Sequence, residues 1–294
     1  MYTVGLVAGT PSSRTLGSKA ASLATLTNLD MRIPSGFVIT TAAQRQYLAF
    51  NQIDLRDSDA GEQIRTGRFP DDLWDEISAA YDAHIYPRPA AVRSSATLED
   101  LADASFAGQY ETVLDVHRDA LLDAIKTCWA SQCGPHVTRY LQNHGLQPEE
   151  CLMAVIVQQM VNADAAGVCF SINPVTGANE IVINANWGLG DSVVSALVMP
   201  DMFVVAKDTR EVLQQVLGDK EWITKPRPDG GIEQVATDAS SRNKFCLTPS
   251  EAQEVADVAC RIERHLGMPV DLEFAYQDHL LFILQGRPIT GRRV

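Results

Sequence analysis

The stretch DLEFAYQDHLLFILQGRP, residues 271–288, constrains the fold of this chain more than any other. Two runs rich in β-forming residues flank the polar tripeptide Gln277–His279, and this pattern predicts a β-hairpin. We expect a three-residue loop over the tripeptide, with Glu273 paired with Ile283. Because side chains alternate between the two faces of a strand, all odd-numbered residues of the hairpin then share one face.

Three polar residues interrupt the apolar pattern of this hairpin: Glu273, Gln285 and Arg287. A three-residue loop places them on the same face, whereas a two-residue turn would divide them between the faces. A carboxylate and an amide oxygen are hard ligands for magnesium, and a guanidinium presents a planar donor fork to phosphate. These residues therefore favour a magnesium–nucleotide site. The alternative is an amphipathic edge hairpin whose polar face is only solvated.

Composition bounds the class of protein. A chain of 294 residues that is 46% hydrophobic can bury a large core in one or two domains. The net charge of −13 argues against a nucleic acid or an anionic membrane as the main partner. The sequence shows no signal peptide and no apolar stretch long enough to span a bilayer, so we expect a soluble cytoplasmic protein. Neither the six cysteines nor the six histidines show zinc-site spacing.

Two cations in the first half of the chain, Lys19 and Arg93, lie at positions that are unfavourable or unusual for a positive charge in the predicted elements. Lys19 lies in the first turn of a helix predicted over Ser18–Leu29, where a positive charge opposes the helix dipole. An anion bound at the helix start would explain it, and the alternative is a solvated surface lysine. Arg93 lies inside the predicted strand Ala90–Ser95, which is unusual for a charge unless an anion or a carboxylate pairs with it.

The segment Glu99–Gln109 has no clear period and is rich in small residues. Such a loop can lay backbone amides over phosphates, and Gly108 allows a close approach of the backbone to a ligand. The alternative is an ordinary surface loop.

The remaining pattern alternates strands and helices, which predicts an α/β (α+β) fold. The predicted strands are Ile33–Thr40, Tyr110–Val116, Leu152–Val161, Gly167–Ile172, Ile181–Trp187, Phe203–Ala206 and Val212–Val216. The predicted helices are Thr41–Asn51, Asp71–His84, Arg118–Ser131, His136–His144, Asp191–Val198, with Asp191 as its N-cap, and Thr248–Leu266, with a capping box. We expect Gly218–Asn243 to be a loop.

Four segments occur in an order that resembles a known family: GSKAASL at 17–23, AVRSSATLEDLADASFAGQYET at 91–112, VQQMV…AGVCFSINPVTG at 157–177, and the hairpin at 271–288. Together they resemble the nucleotide-binding domain of the phosphoenolpyruvate synthase, pyruvate phosphate dikinase and rifampin phosphotransferase family. The resemblance covers essentially the whole chain. It implies an ATP-grasp fold with two lobes, residues 1–160 and 161–294, that hold ATP and Mg²⁺ between them.

The resemblance also implies a role for each matching residue. Lys19, Arg93 and Arg287 would contact phosphates and act as the catalytic cations, because they neutralise charge on the transferring group. The loop Phe106–Gln109, with Gly108 and Gln109, would cover the phosphates, and Thr112 would add a polar contact to them. The backbone of Gln159, Met160 and Val161 would form the hinge that binds adenine. Glu273 and Gln285 would be the magnesium ligands.

Members of this family resemble relays, in which ATP phosphorylates a histidine on a mobile domain and yields AMP and phosphate. None of the six histidines here lies in the Gly-rich Thr/Ser-His motif of that domain, so we expect a separate carrier domain and a separate acceptor-binding domain. The motif around residues 184–196 departs from the family pattern at Asn184, Asp191 and Ala196. Two alternatives remain open: a self-contained kinase or ligase acting on a small molecule, and an ATP-binding module without chemistry.

Overall fold

The computed structural model of the protein describes residues 1–6, 12–98, 100–101, 104–105 and 110–289. The chain divides into two compact units. Unit 1 contains Met1–Thr25, Ser35–Met160 and Asp229–Gly231, and unit 2 contains Leu26–Pro34, Val161–Pro228 and Ile232–Val294. Both combine helices with β-sheets, which confirms the predicted α/β class. Within the described residues, no helix is both long and apolar enough to cross a membrane.

The described strands of unit 1 are β1 (Thr3–Gly5), β2 (Gly36–Ile39), β3 (Ala90–Ala96), β4 (Asp100–Leu101), β5 (Ala104–Ser105), β6 (Thr112–Val116) and β7 (Met153–Gln159). Five of them form an antiparallel sheet in the order β1-β2-β7-β3-β6, and β4 pairs with β5. Its described helices are α1 (Ser13–Thr27), α2 (Thr41–Asn51), α3 (Ala60–Thr66), α4 (Asp71–His84), α5 (Leu121–Ser131) and α6 (Pro135–Asn143).

One face of this sheet forms the core of unit 1 with helices α2 to α5. Alternate strand residues such as Val92 and Val155 are fully buried there, as their spacing of two requires. The buried ring of Trp129 on α5 packs in the same cluster, and its indole N–H donates to the Met153 carbonyl at 3.1 Å. The opposite face, which carries the odd-numbered residues of β3, is therefore the one available to position polar groups.

Helix α1 is kinked at Gly17, whose φ of 72° and ψ of 169° are not helical. A Cβ at this position would lie 1.9 Å from the Ser95 carbonyl oxygen, so only glycine fits the close approach to β3. The Ser95 hydroxyl accepts a hydrogen bond from the Ala20 N–H at 3.1 Å and donates one to the Leu16 carbonyl at 2.8 Å. The helix predicted from Ser18 is thus the second segment of a longer, divided helix.

The described strands of unit 2 are β8 (Ala165–Phe170), β9 (Glu180–Trp187), β10 (Asp201–Ala206), β11 (Val212–Val216), β12 (Trp222–Pro226), β13 (Ile232–Ala236), β14 (Val270–Gln277) and β15 (Leu280–Pro288). Its described helices are α7 (Asp191–Val194), α8 (Ala239–Arg242) and α9 (Pro249–Leu266). Six strands form an antiparallel sheet in the order β11-β10-β9-β8-β14-β15, and β12 pairs with β13.

Helix α9 packs against one face of the six-stranded sheet. Its start confirms the predicted capping box: the Thr248 N–H donates to Glu251 Oε2 at 2.8 Å, and the Glu251 N–H donates to Thr248 Oγ1 at 3.2 Å. Leu272 and Phe274 of β14 are fully buried on the face that α9 covers. The neighbouring residues of β14 consequently point to the face that α9 leaves uncovered.

Two predictions about the segment from Gly190 to Asn243 are wrong. The segment Gly218–Asn243 is not a loop, because it contains the hairpin of β12 and β13 and helix α8. The β12–β13 hairpin is short and polar, so its sequence lacks the alternating apolar residues from which a strand is predicted. Asp191 is not an N-cap: Gly190 holds that position, and α7 ends at Val194, shortly before Ala196, which adopts a left-handed φ of 54°.

The kink at Gly17 yields a stability prediction. Gly17→Ala should cost about 3–5 kcal/mol of unfolding free energy, because backbone strain and a steric overlap with Ser95 add together. Gly145 also has a positive φ, but a Cβ there would meet nothing within 4 Å. Gly145→Ala is therefore the matched control and should cost only about 1 kcal/mol. Urea unfolding measures both, and equal losses would contradict the close approach of Gly17 to β3.

Candidate functional site

The hairpin of β14 and β15 is closed by a two-residue turn, and the predicted three-residue loop is wrong. Gln277 pairs with Leu280, and Asp278 and His279 form the turn with φ of 51° and 60°. Positive φ at both positions is typical of a type I′ turn, which matches the twist of the flanking strands. The Asp278 N–H donates to Asp164 Oδ2 at 2.7 Å, so a residue distant in sequence stabilises the turn.

A β-bulge at Leu284 then changes the register. Phe274 pairs with Ile283, but the next pair is Glu273 with Gln285. Without the bulge, a two-residue turn would place Gln285 on the face opposite Glu273. The extra residue restores the common face, since a bulge places two residues of one strand opposite one of the other. The common face expected for the polar residues is therefore present, although the register that produces it differs from the predicted one.

Asp271 belongs to the same face, and the sequence analysis missed it. It pairs across the strands with Arg287, whose Nε and Nη2 donate to Asp271 Oδ2 at 3.1 and 2.8 Å. Burial raises the pKa of the Asp271 carboxyl above its ordinary value, and the Arg287 guanidinium opposes that shift. The sequence could have indicated Asp271, because it precedes Glu273 by two residues and side chains two apart on a strand share a face. The ion pair holds the guanidinium beside the Glu273–Gln285 pair.

The chemistry of this face fits a magnesium ion. Glu273 and Gln285 are direct cross-strand neighbours, and Gln285 is buried. Among the described residues, no group of three or more histidine, cysteine, aspartate or glutamate side chains could hold a metal ion. Mg²⁺ needs no such group, because it is commonly bound through one or two carboxylates together with waters and substrate phosphates.

In unit 1, the structure brings Lys19, Arg93 and Thr112 to one region. Arg93 on β3 lies directly opposite Thr112 on β6, and the arginine is buried. Ser95, two residues along on the same face, holds the backbone of α1 at its kink. Lys19 follows the kink at Gly17 by two residues and is partly buried. The kink therefore places Lys19 at the start of a helical segment beside the strand that carries Arg93.

The predicted hinge lies at the end of β7. The N–H groups of Gln159 and Met160 donate to the carbonyls of Ser35 and Pro89, at 2.8 and 2.9 Å. Among the described residues, no backbone hydrogen bond is formed by the Met160 carbonyl or the Val161 N–H, which come next in the chain.

A small apolar cluster in unit 2 includes Val161, Ala166 and Ala275, with Ala163, Phe282 and Leu284 packed against it. Ala275 follows Glu273 by two residues on the same face, and Ala166 pairs with it from β8. The three central residues are buried, so the apolar side chains that remain partly exposed near the Glu273–Gln285 pair are Ala163, Phe282 and Leu284. An aromatic base can be buried on such a surface.

Two of the expected contacts, Gly108 and Gln109, lie outside the described residues, as does the rest of the loop Phe106–Gln109. Their placement over phosphates stays a prediction. The other expected contacts form two groups, each positioned within its own unit. Lys19, Arg93, Thr112, Gln159 and Met160 belong to unit 1, and Val161, Glu273, Gln285 and Arg287 belong to unit 2.

The turn contact yields a prediction about the hairpin. Asp164→Ala removes the acceptor for the Asp278 N–H and should cost about 1 kcal/mol of unfolding free energy. Asp164→Asn is the matched control, because its amide oxygen can still accept the bond, and it should retain most of the stability. Urea unfolding of the two variants makes the comparison. An alanine variant as stable as the asparagine variant would show that this contact does not support the turn.

Comparison with known proteins agrees with this geometry. The family model described as pyruvate phosphate dikinase, AMP/ATP-binding domain, matches residues 13–293. The chain is 38% identical to the uncharacterized phosphotransferase YvkC of Bacillus subtilis, over 99% of this chain and 35% of that protein. It is 33% identical to the phosphoenolpyruvate synthase of Pyrococcus furiosus, over 94% of this chain and 42% of that protein.

A third relative is the rifampicin phosphotransferase of Streptomyces sviceus, 35% identical over 94% of this chain and 34% of that protein. A solved D-alanine–D-alanine ligase from Helicobacter pylori overlaps 73% of this chain and 46% of its own, at 9% identity and a TM-score of 0.33, too low to carry an argument. The chain thus spans between a third and less than half of the relatives named here. The resemblance seen in the sequence is confirmed, and the chain belongs to the family of pyruvate phosphate dikinase AMP/ATP-binding domains.

Proposed function

We propose that this chain binds ATP with Mg²⁺ and passes one phosphoryl group to a histidine on a separate carrier domain. The observation that carries the proposal is the hairpin face on which Glu273 pairs with Gln285 while Asp271 holds Arg287. Membership of the AMP/ATP-binding domain family supports it. Relatives named phosphoenolpyruvate synthase and rifampicin phosphotransferase support phosphoryl transfer as the reaction class.

The proposed reaction consumes ATP, water and the carrier histidine, and it yields AMP, inorganic phosphate and phosphohistidine. An imidazole nitrogen forms a bond to phosphorus as a P–O bond of ATP breaks. Water takes the other phosphoryl group, which leaves as phosphate. The protein's part in such a transfer is positioning and electrostatic stabilisation rather than covalent chemistry.

The three cations act on the phosphates in this proposal. Lys19 and Arg93 come from unit 1 and Arg287 comes from unit 2. Charge develops on the equatorial oxygens of the transferring group, and fixed donors aimed at those oxygens lower the barrier. Arg93, which is buried on a strand, and Arg287, which is paired with Asp271, are both held by the fold before the nucleotide arrives. Gly108, Gln109 and Thr112 complete the phosphate contacts.

The adenine end is bound by the hinge in this proposal. Adenine would be recognised through the Met160 carbonyl and the Val161 N–H, next to Gln159, and its ring would lie on the apolar cluster that includes Val161. Glu273 and Gln285 would hold Mg²⁺, which neutralises charge on the triphosphate when it is bound. Both ligands lie on paired strands, so their relative position is fixed by the hairpin.

The carrier and acceptor-binding domains are proposed to lie outside these 294 residues. None of the histidines lies in a Gly-rich Thr/Ser-His motif, and the chain matches only part of each relative's length. We place the enzyme in the cytoplasm, where ATP is abundant and the free cysteines of the described structure stay reduced.

The metal role of Glu273 is tested by Glu273→Gln. The variant should bind ATP at least about tenfold more weakly than the parent in the presence of Mg²⁺, a loss of roughly 1.4 kcal/mol. In EDTA the two proteins should bind ATP equally, because only the metal-dependent part of the affinity is lost. Glu233→Gln, on an exposed position of β13, is the control. Titration calorimetry measures each affinity, and an unchanged MgATP affinity for Glu273→Gln would remove Glu273 from the ligand set.

The relay is tested with a carrier supplied in trans. The chain alone should bind MgATP and turn it over slowly or not at all. Adding a carrier domain that bears the reactive histidine should yield AMP, phosphate and an acid-labile phosphorylated carrier. Phosphorus NMR follows all three. Rapid phosphorylation of a small acceptor by this chain alone would instead establish a self-contained kinase or ligase, and binding without any transfer would establish a module without chemistry.

A further inference from the structure

A cavity of about 440 Å³ lies in unit 2, at the end of the six-stranded sheet where β8 begins and β9 ends. Every residue that lines it belongs to unit 2. The lining comes from the segment that leads into β8, from the end of β9, and from strand β12 with helix α8. Its volume suits a small molecule, and none of the lining residues is a nucleotide or metal contact expected from the sequence.

Trp187, the aromatic wall of the cavity, lies on the face of the sheet opposite Glu273. Trp187 pairs with Ala165, and Ala165 pairs with Tyr276 on β14, so these three residues share a face. The Tyr276 hydroxyl donates to a backbone carbonyl of α9 at 3.0 Å, which identifies this face as the one that α9 covers. Tyr276 and Glu273 are three residues apart on the same strand and therefore point to opposite faces. The indole wall thus faces away from the metal pair.

Hydrogen bonds tie the lining segments of the cavity together. The Gly188 N–H donates to the Asp164 carbonyl at 2.9 Å, and the next N–H along the chain donates to the Thr224 carbonyl at 3.0 Å. The Trp187 indole N–H donates to the Ser241 carbonyl of α8 at 3.0 Å, which fixes the plane of the ring. The cavity is therefore formed before a ligand binds, and little ordering is needed when one enters.

Thr224 supplies the cavity wall with a buried polar group that the protein does not satisfy. The residue is fully buried, and its hydroxyl has no hydrogen-bond partner among the described residues. Buried hydroxyls are nearly always hydrogen-bonded, because an unpaired one lowers stability. An unsatisfied hydroxyl in the wall of a cavity points to a ligand that completes its hydrogen bond.

Two opposite charges with unused hydrogen-bonding capacity border the same cavity. The Lys225 ammonium is exposed and forms no hydrogen bond or ion pair within the described part of the chain, although Glu233 lies opposite it on β13. In the Asp164 carboxylate, Oδ2 accepts the Asp278 N–H of the hairpin turn, whereas Oδ1 has no donor among those residues. One ammonium and one carboxylate oxygen are therefore available to a ligand.

The second carboxylate in the lining, Asp238, is used by the protein itself. It accepts the N–H groups of Ser240 and Ser241 at 2.9 and 3.0 Å, together with the hydroxyls of both serines. The charge that remains for a ligand is thus balanced between one cation and one anion. A nucleotide would fit poorly, because its phosphates would meet two carboxylates and a single cation.

We propose that this cavity binds an aromatic zwitterion, a molecule that carries a flat ring together with an ammonium and a carboxylate, as aromatic amino acids do. The ring packs on Trp187 beside the apolar side chain of Ile223. The ligand carboxylate pairs with Lys225, and the ligand ammonium pairs with Asp164. The Thr224 hydroxyl completes its hydrogen bond with one of these two groups, since it can both donate and accept. This site is independent of the proposed function.

A ligand-observed NMR titration with L-phenylalanine and L-tryptophan tests the site. We expect a Kd of about 1 mM or tighter, as is usual for ligands of this size in a formed pocket. Phenethylamine lacks the carboxylate and 3-phenylpropanoate lacks the ammonium, so each should bind at least about tenfold more weakly than L-phenylalanine. The proposal is overturned if neither amino acid binds, or if both analogues bind as well as L-phenylalanine does.

Two variants that remove one charge each assign the two ends of the ligand. Lys225→Met should weaken L-phenylalanine binding by about tenfold and leave the affinity for phenethylamine unchanged. Asp164→Asn, whose amide oxygen still supports the turn, should weaken L-phenylalanine binding similarly and leave the affinity for 3-phenylpropanoate unchanged. Lys244→Met, at an exposed lysine of the same unit outside the lining, is the control. The parent's affinity for L-phenylalanine in Lys225→Met or Asp164→Asn would contradict the assignment.

Thr224→Val distinguishes a ligand-binding hydroxyl from a structural one. Because the hydroxyl has no partner in the described protein, the variant without ligand should melt at or above the temperature of the parent. Its affinity for L-phenylalanine should fall by about threefold or more. A lower melting temperature would give the hydroxyl a structural role, and an unchanged affinity would separate it from the ligand. Either result would overturn the proposal.

AMP is the decisive competitor. It should not displace L-phenylalanine from the parent, and MgATP should bind Lys225→Met as it binds the parent, because Lys225 is not among the proposed phosphate contacts. Displacement of L-phenylalanine by AMP would assign the cavity to a nucleotide and would overturn the proposal. Thermal melting of each variant establishes that it is folded.

Discussion

The cross-strand pairing of Glu273 with Gln285 is the contact on which the rest of the hairpin site depends. A type I′ turn fixes the register at one end, and the single extra residue Leu284 shifts it by one before the polar pairs begin. Strand faces alternate with a period of two, so this shift decides whether four polar side chains converge or separate. The ion pair of Asp271 with Arg287 and the common face of Glu273 and Gln285 both follow from it.

In unit 1, the kink of helix α1 at Gly17 positions the polar residues. Gly17 lets helix α1 touch strand β3, and the Ser95 hydroxyl then holds both sides of the kink. As a result Lys19 starts a helical segment beside the strand that carries Arg93. In both units the polar groups lie on or next to regular elements whose backbone geometry is specified by packing. Groups held in this way lose little conformational freedom when they meet a ligand.

Much of this arrangement could be predicted from the sequence, and the failures have physical causes. The helices α2, α4 and α9 follow from apolar period and capping residues, which are local. The hairpin turn could not be predicted, because neither Asp278 nor His279 is the glycine that a left-handed turn normally contains. Its geometry is supported by Asp164, which lies 114 residues away in the sequence. The bulge, the kink in α1 and the β12–β13 hairpin likewise depend on contacts that no local window contains.

The pair of Asp201 and Lys220, in which Lys220 Nζ donates to Asp201 Oδ1 at 2.5 Å and both side chains are fully buried, limits how this chain can change. Loss of either partner alone leaves an uncompensated charge in the interior, which typically costs about 3–5 kcal/mol, a large part of a domain's stability. The Asp201 carboxylate also accepts hydrogen bonds from the N–H groups of Gly218 and Cys246. An apolar pair of equal volume would therefore leave both N–H groups without an acceptor. Sequence change at these two positions is therefore epistatic. Exposed side chains near Gly218 and Cys246 can therefore change more easily than the course of the backbone there, which depends on Asp201.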